Sequence, residues 1–196
     1  GKLLEVSNWS GTTAPTVAFG QGYSLTAMQA TSVFATIANN GIRVAPTFIA
    51  GTSDAGGRFT PNMFGAGSRI ISETTASQLR QMMESVVSNS GTAPEAAISG
   101  YRVAGKTGTA RRIDDSCGCY RGYTSSFIGF APAESPKFVI SVTIQDPKGV
   151  YYGGYLGGPV FREVMKFVLR DQRIAPSTEK SFGYALTERE LRKKSK

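Results

Sequence analysis

In the stretch GYRVAGKTGTARR, residues 100–112, Gly100 is followed after four residues by Gly105, Lys106 and Thr107. These letters spell a phosphate loop, in which backbone N–H groups cradle phosphates and the lysine reaches the outer ones. Such a loop follows a strand and opens a helix. Here NSGTAPEAAIS precedes it without a strand pattern, and Gly108 and the polar RRIDDSCGC follow where a helix should begin. The bulky interior Tyr101-Arg102-Val103-Ala104 also suits poorly a tight anion loop, which favours residues tolerant of positive φ. One feature favours the nucleotide reading: FVISVTIQD ends in Asp146 like a magnesium-holding strand. The turn ESP just before that strand is too short for the crossover of a parallel nucleotide-binding sheet.

The same residues fit a strand better. Tyr101, Val103, Gly105, Thr107 and Thr109 alternate with Arg102, Ala104, Lys106, Gly108 and Ala110, which predicts Lys106 and Gly108 on one face and Thr107 and Thr109 on the other. At the border of a cleft, the gap at Gly108 lets a ligand backbone come close, and the lysine and hydroxyls can meet a carboxylate. A strand-like peptide could pair with such an edge.

The rest of the side-chain inventory narrows the chemistry. The chain has no histidine, which removes Ser/His/Asp and Cys/His nucleophile pairs and most zinc sites. Cys117 and Cys119, one residue apart, are too few for a structural zinc site and leave two alternatives open, a disulfide of an oxidising compartment or two thiols. Net charge is +8, and residues 162–196 hold ten basic against five acidic side chains. No aromatic residues interleave ERELRKKSK, so a solvated tail, or one near an anionic membrane or wall polymer, is preferred over nucleic acid. No run approaches the length of a membrane span and no signal peptide is visible.

The elements that must position Lys106 and its neighbours are a helix over 24–40 with Met28, Val33, Phe34 and Ile37 inward, and a second helix capped by Ser72 with Ala76, Leu79, Met82, Met83, Val86 and Val87 on one stripe. Residues 51–68 read as a surface loop and Gly20-Gln21-Gly22 as a turn. After the strand at 103–109 and a polar loop carrying the cysteines come YTSSFIGFAPA and KFVISVTIQD, two strands joined by ESP. The glycine-rich loop GVYYGGYLGG, whose aromatics could border a cleft, leads to a helix over 159–170 with Val160, Phe161, Val164, Phe167 and Val168 inward. Tight connections imply antiparallel pairing, so the predicted class is α+β, an antiparallel sheet flanked by helices.

Lys106, Thr107 and Gly108 are also the K-T-G element of penicillin-binding proteins and class A β-lactamases. Four blocks in order, FGQGYSLTAMQATSVFATIANNGIRVAP, SVVSNSGTAPEAAISGY, VAGKTGTA and SFIGFAPAESPKFVISVTIQDP, resemble the C-terminal part of the transpeptidase domain of class B penicillin-binding proteins, over roughly residues 15–170. Ala110 after KTGT resembles the monofunctional class B enzymes. The resemblance implies the C-terminal portion only of a penicilloyl-serine transferase (β-lactamase/transpeptidase-like) fold, spanning 1–174, with a basic tail at 175–196.

It further implies D,D-transpeptidation, in which a serine attacks the D-Ala-D-Ala bond of a peptidoglycan stem peptide, releases D-Ala and passes the acyl group to a neighbouring amine. β-Lactam antibiotics acylate the same serine. Carried onto this chain, Lys106, Thr107, Gly108 and Thr109 are substrate-binding, Lys106 is also catalytic, and the Thr109 backbone N–H is an oxyanion donor; no metal and no cofactor are implied. The family's S-x-x-K and S-x-N should lie upstream, yet S-x-N is absent and the one S-x-x-K, Ser177 to Lys180, lies after K-T-G. The expectation is therefore a C-terminal fragment, inactive alone, completed by the N-terminal half of the same domain. Such a protein works with cell-wall synthesis complex proteins and no nucleic acid, on the extracytoplasmic face of the bacterial cytoplasmic membrane, anchored by an N-terminal segment absent from this chain. The alternatives are a D,D-carboxypeptidase or β-lactamase of the same fold, or a non-catalytic penicillin-binding sensor or scaffold.

Overall fold

The computed structural model describes residues 1–63, 65–114 and 116–177. A short helix α1 (Thr13–Ala18) precedes α2 (Ala27–Ala38). Thr26 opens α2 with a capping box: its hydroxyl accepts from the Gln29 N–H and its own N–H donates to the Gln29 side chain. The helix is shorter than the expected 24–40 because Ser24 is held elsewhere, exchanging two backbone hydrogen bonds with Lys2 (2.7 and 2.9 Å). Asn40 and Gly41, at φ of 51° and 83°, end it in the left-handed region.

Two small antiparallel pairs follow. β1 (Ile42–Arg43) pairs with β4 (Ser68–Arg69), and β2 (Gly51–Ser53) pairs with β3 (Phe59–Pro61), so the expected loop over 51–68 contains a hairpin. α3 (Glu73–Ser85) is capped by Ser72, whose hydroxyl accepts from the Thr75 N–H at 3.0 Å.

The main sheet is β5 (Ala104–Asp114), β6 (Cys119–Ala131) and β7 (Phe138–Gln145), antiparallel in the order β5–β6–β7. Lys106 lies opposite Ile128, Thr109 opposite Ser125, and Phe130 opposite Val139. β5 runs five residues past the predicted strand because Ala110–Asp114 keep pairing with Cys119–Thr124, across an irregularity between Arg111 and Ile113. Of the expected polar loop, residues 116–118 form a turn.

α4 (Gly153–Asp171) begins six residues before the predicted start. A glycine-rich segment reads as loop, but here the missing side chains seat a helix on a sheet. A Cβ at Gly153 would run into the carbonyl oxygens of Gly108 and Ser126, and one at Gly154 into that of Thr92. The ridge from Gly157 continues at four-residue steps through Phe161, Met165 and Leu169, all buried. This seating turns Val160, Val164 and Phe167, expected inward, to the surface at 46%, 44% and 60% exposure. Met28, Val33 and Met82 are likewise exposed, correcting their inward assignment. Gly154→Ala should lower stability by about 1–3 kcal/mol, because overpacking against backbone outweighs the helix propensity gain of ~1 kcal/mol. Urea denaturation measures the difference.

The sheet carries a core on each face. Phe127, Ala131, Phe161, Met165 and Leu169 pack between the sheet and α4, joined by Val87, Ala93, Ala96, Ile98 and Val103. Ala104, Phe130, Met83 and Ala133 pack on the other face, with Phe34 and Ile37 of α2 against them. Beneath this core the Arg102 guanidinium grips the Glu84 carboxylate through two bonds, Nη2 to Oε1 at 2.7 Å and Nε to Oε2 at 3.0 Å.

Candidate functional site

β5 places the four sequence-predicted residues in one row with their side chains on alternate faces. The Thr107 hydroxyl lies 3.2 Å from that of Thr92, and the Thr109 hydroxyl accepts from the Gly153 N–H at 3.1 Å, so both point toward α4. Lys106 and Gly108 share the opposite face, with Ile128 and Ser126 as their cross-strand neighbours. A Cβ at Gly108 would run into the Ser126 hydroxyl oxygen, so a side chain there would force Ser126 into another rotamer.

The backbone matters as much as the side chains. The Arg102 carbonyl accepts from Ala133 N–H at 2.8 Å, on the β6 side. Strand alternation then turns the N–H and C=O groups of even-numbered residues toward β6 and those of Thr107 and Thr109 toward the other edge. Among the described residues no strand pairs with that edge. The exposed Lys106 side chain brings its Nζ round to donate to the Thr107 carbonyl at 2.9 Å. The Lys106 ammonium and the outward N–H and C=O of Thr109 thus meet at one open edge, bordered on the α4 side by the Thr107 and Thr109 hydroxyls. Such a set can bind an extended chain by backbone pairing and a carboxylate by charge-assisted hydrogen bonds.

Several contributors had no sequence signal of their own. Thr92 and Gly153 position the two threonine hydroxyls, and both come from segments that read as loop. At the N-terminal end of α4, Tyr123 stacks on Tyr151 with ring centroids 4.1 Å apart and planes 6° from parallel, and Tyr152 lies 4.8 Å beyond. Hydrogen bonding to the Tyr152 phenol holds the Tyr151 phenol above its usual pKa. This stack sets Tyr151 against Tyr123 of β6, while Tyr152 and Tyr155 are both exposed, at 60% and 59%. Gly20, Gln21 and Gly22 border a groove of about 500 Å³ together with Ala110, Arg111 and Tyr120, so the predicted turn adjoins the far end of β5.

Of the downstream S-x-x-K, Ser177 donates its N–H to the Gly100 carbonyl and accepts from the Arg102 N–H, each at 2.9 Å; Lys180 and residues 178–196 lie outside the described residues. Ser177 thus fastens the chain beside the start of β5. Cys117 and Cys119 form a disulfide at the tip of the β5–β6 hairpin. Among the described residues no group of His, Cys, Asp and Glu could hold a metal ion, and no helix is long and apolar enough to cross a membrane.

Residues 4–166 match the family model of the penicillin-binding protein transpeptidase domain. The chain is 37% identical over 189 residues to the penicillin-binding protein PbpB of Mycolicibacterium smegmatis, covering 91% of this chain and 29% of that protein. To the peptidoglycan D,D-transpeptidase FtsI of Escherichia coli K12 it is 37% identical over 177 residues, covering 90% and 28%. The apo structure of penicillin-binding protein 3 from Mycobacterium tuberculosis superposes with a TM-score of 0.83 at 32% identity, covering 94% of this chain and 43% of that one. The chain therefore spans under a third of the length of these curated relatives. Family model, sequence relatives and the α+β architecture around the K-T-G strand agree: this chain belongs to the penicillin-binding protein transpeptidase domain family, whose penicilloyl-serine transferase fold it shares in part.

Proposed function

We propose that this chain is the C-terminal portion of the transpeptidase domain of a peptidoglycan D,D-transpeptidase, supplying the K-T-G edge of a site whose nucleophilic serine lies in the preceding half. The observation that carries the proposal is the open edge at Thr107 and Thr109 with the Lys106 ammonium folded onto it. A stem peptide ending in D-Ala-D-Ala pairs along this edge. The Thr109 N–H donates to the carbonyl oxygen as it becomes an oxyanion, a contribution worth about 10²–10³-fold in comparable sites.

The terminal carboxylate meets Lys106, which needs no desolvation because its side chain is exposed. Since Thr109 Oγ1 already accepts from Gly153, its own hydrogen is left to donate to that carboxylate. Attack by the serine oxygen on the penultimate carbonyl carbon breaks the peptide bond and releases D-Ala. The amine of a second stem then attacks the acyl-serine and returns the serine. A β-lactam takes the same place, as its carboxylate and carbonyl present the same two acceptors.

The preceding half of the domain is the partner we assign to the exposed side of α2. There Leu25, Met28, Val33, Ile70 and Leu79 line an apolar groove of about 620 Å³, and relatives of this family extend well beyond the span this chain matches. A Cys117–Cys119 disulfide fits the oxidising side of the cytoplasmic membrane, where a wall-synthesis complex would operate. In the intact protein, fluorescent penicillin is expected to label one serine, mapped by peptide mass spectrometry outside residues 1–196, while the isolated chain takes no label. Labelling of the isolated chain, Ser177 included, would overturn this assignment.

A further inference from the structure

We propose that Cys117–Cys119 is a thiol–disulfide exchange site for small dithiols and dithiol reductases, one that controls the order of the hairpin tip without touching the core. Both cysteines are exposed, so either sulfur is open to an attacking thiolate. A bridge across one residue removes little freedom from the unfolded chain, because such stabilisation grows with the length of the closed loop. Its effect must therefore be local.

The surroundings draw the boundary of that effect. From Ala110–Thr124 to Asp114–Cys119 the paired residues of β5 and β6 are exposed or half-buried, whereas Ser125 and Phe127 are fully buried. Ile113 and Tyr120 pair across the tip with both side chains 65% exposed. They also line the groove that ends at Arg111. Among the described residues, the contacts that hold the tip besides the ladder and the disulfide include the Asp114 carboxylate bonds to Ser116, a 3.4 Å contact from Arg121, and the Cys117 N–H donating to the Asp114 carbonyl at 3.3 Å. Arg111, Arg112 and Arg121 flank the bridge along the two arms, with Arg112 facing Asp146 at 3.9 Å and Arg121 facing Asp114 at 3.4 Å.

The exchange balances in two steps. One thiolate of the dithiol attacks one sulfur of the bridge, the S–S bond breaks, a mixed disulfide forms and the other cysteine leaves as a thiolate that takes a proton. The second thiol then attacks its partner's sulfur, closing the reagent's own disulfide and releasing the second cysteine. Two electrons pass from the dithiol to the protein.

The test uses the native full-length protein, dithiothreitol and iodoacetamide, read by peptide mass spectrometry, and so does not depend on the transpeptidase reading. Millimolar dithiothreitol is expected to expose both cysteines to labelling without denaturant. Amide hydrogen exchange should rise about tenfold over residues 110–123 and stay unchanged over 127–131, and a Cys117→Ser/Cys119→Ser variant should show the faster pattern without reductant. Labelling only after denaturation, unchanged exchange at the tip, or acceleration spreading into 127–131 would each overturn the proposal.

Discussion

Lys106→Ala in the intact protein is expected to slow acylation by penicillin about 10²-fold or more while leaving stability unchanged within about 0.5 kcal/mol. The first half of that expectation follows from what the ammonium does at the edge. A hydrogen bond to a charged group contributes about 1.5–3 kcal/mol, or roughly 10–150-fold in rate if it is realised as the acyl-enzyme forms. Electrostatic support of proton transfer from the serine adds to it. The second half follows from exposure: Lys106 stands outside both cores and donates to the Thr107 carbonyl, which water can replace. Stopped-flow acylation and urea denaturation separate the two quantities. Lys106→Arg should recover only part of the rate, since a planar fork does not replace a compact point charge. Wild-type acylation in Lys106→Ala would remove the carboxylate from this strand.

The strand that carries Lys106 was legible because its alternation is local: Val103, Gly105, Thr107 and Thr109 declare one face without help from the rest of the chain. Ser72 was readable in the same way, as a hydroxyl ahead of apolar periodicity, whereas the capping box at Thr26 was missed and α2 was expected to start at Ser24, two residues earlier. What failed was anything decided by a distant neighbour. The glycines of α4 look like a loop until the carbonyls of Gly108, Ser126 and Thr92 are known to lie where their side chains would be. That same seating fixes which side of α4 is buried, so Phe161 was placed correctly and Val160 and Phe167 were not. Met28 and Val33 have the spacing of a buried helical face, and they line an apolar groove instead of a core. A stripe on a helix states that a surface is apolar, not what covers it. The site shows the same division, since Lys106, Thr107 and Thr109 were found by type and spacing, while Thr92 and Gly153, which orient the hydroxyls, are 15 and 44 residues from their partners.

The ion pair of Arg102 with Glu84 spans 18 residues and had no such signature, yet it governs the larger stability effect. The side chains are 9% and 2% exposed, and the fork geometry satisfies both carboxylate oxygens, with the Glu134 carboxylate a further 3.9 Å ion-pair neighbour. Arg102→Ala leaves the Glu84 carboxylate buried beside a vacated space, which should cost about 3–5 kcal/mol. For a chain of this size that is a fall in Tm of roughly 10 °C. The cost is a penalty for stranding a charge and does not measure what the pair contributes, so the double variant Arg102→Met/Glu84→Met should recover most of the loss. A double variant no better than Arg102→Ala would mean that the pair itself, through its bonds rather than its burial, holds α3 to the start of β5. Because Arg102 stands two residues before Ala104 and also binds Ser177 through its N–H, that outcome should shift Lys106 and Thr109 as well. Penicillin acylation by the double variant would then fall with its stability; if burial is the cause, acylation stays near wild type, since the open edge of β5 keeps its place.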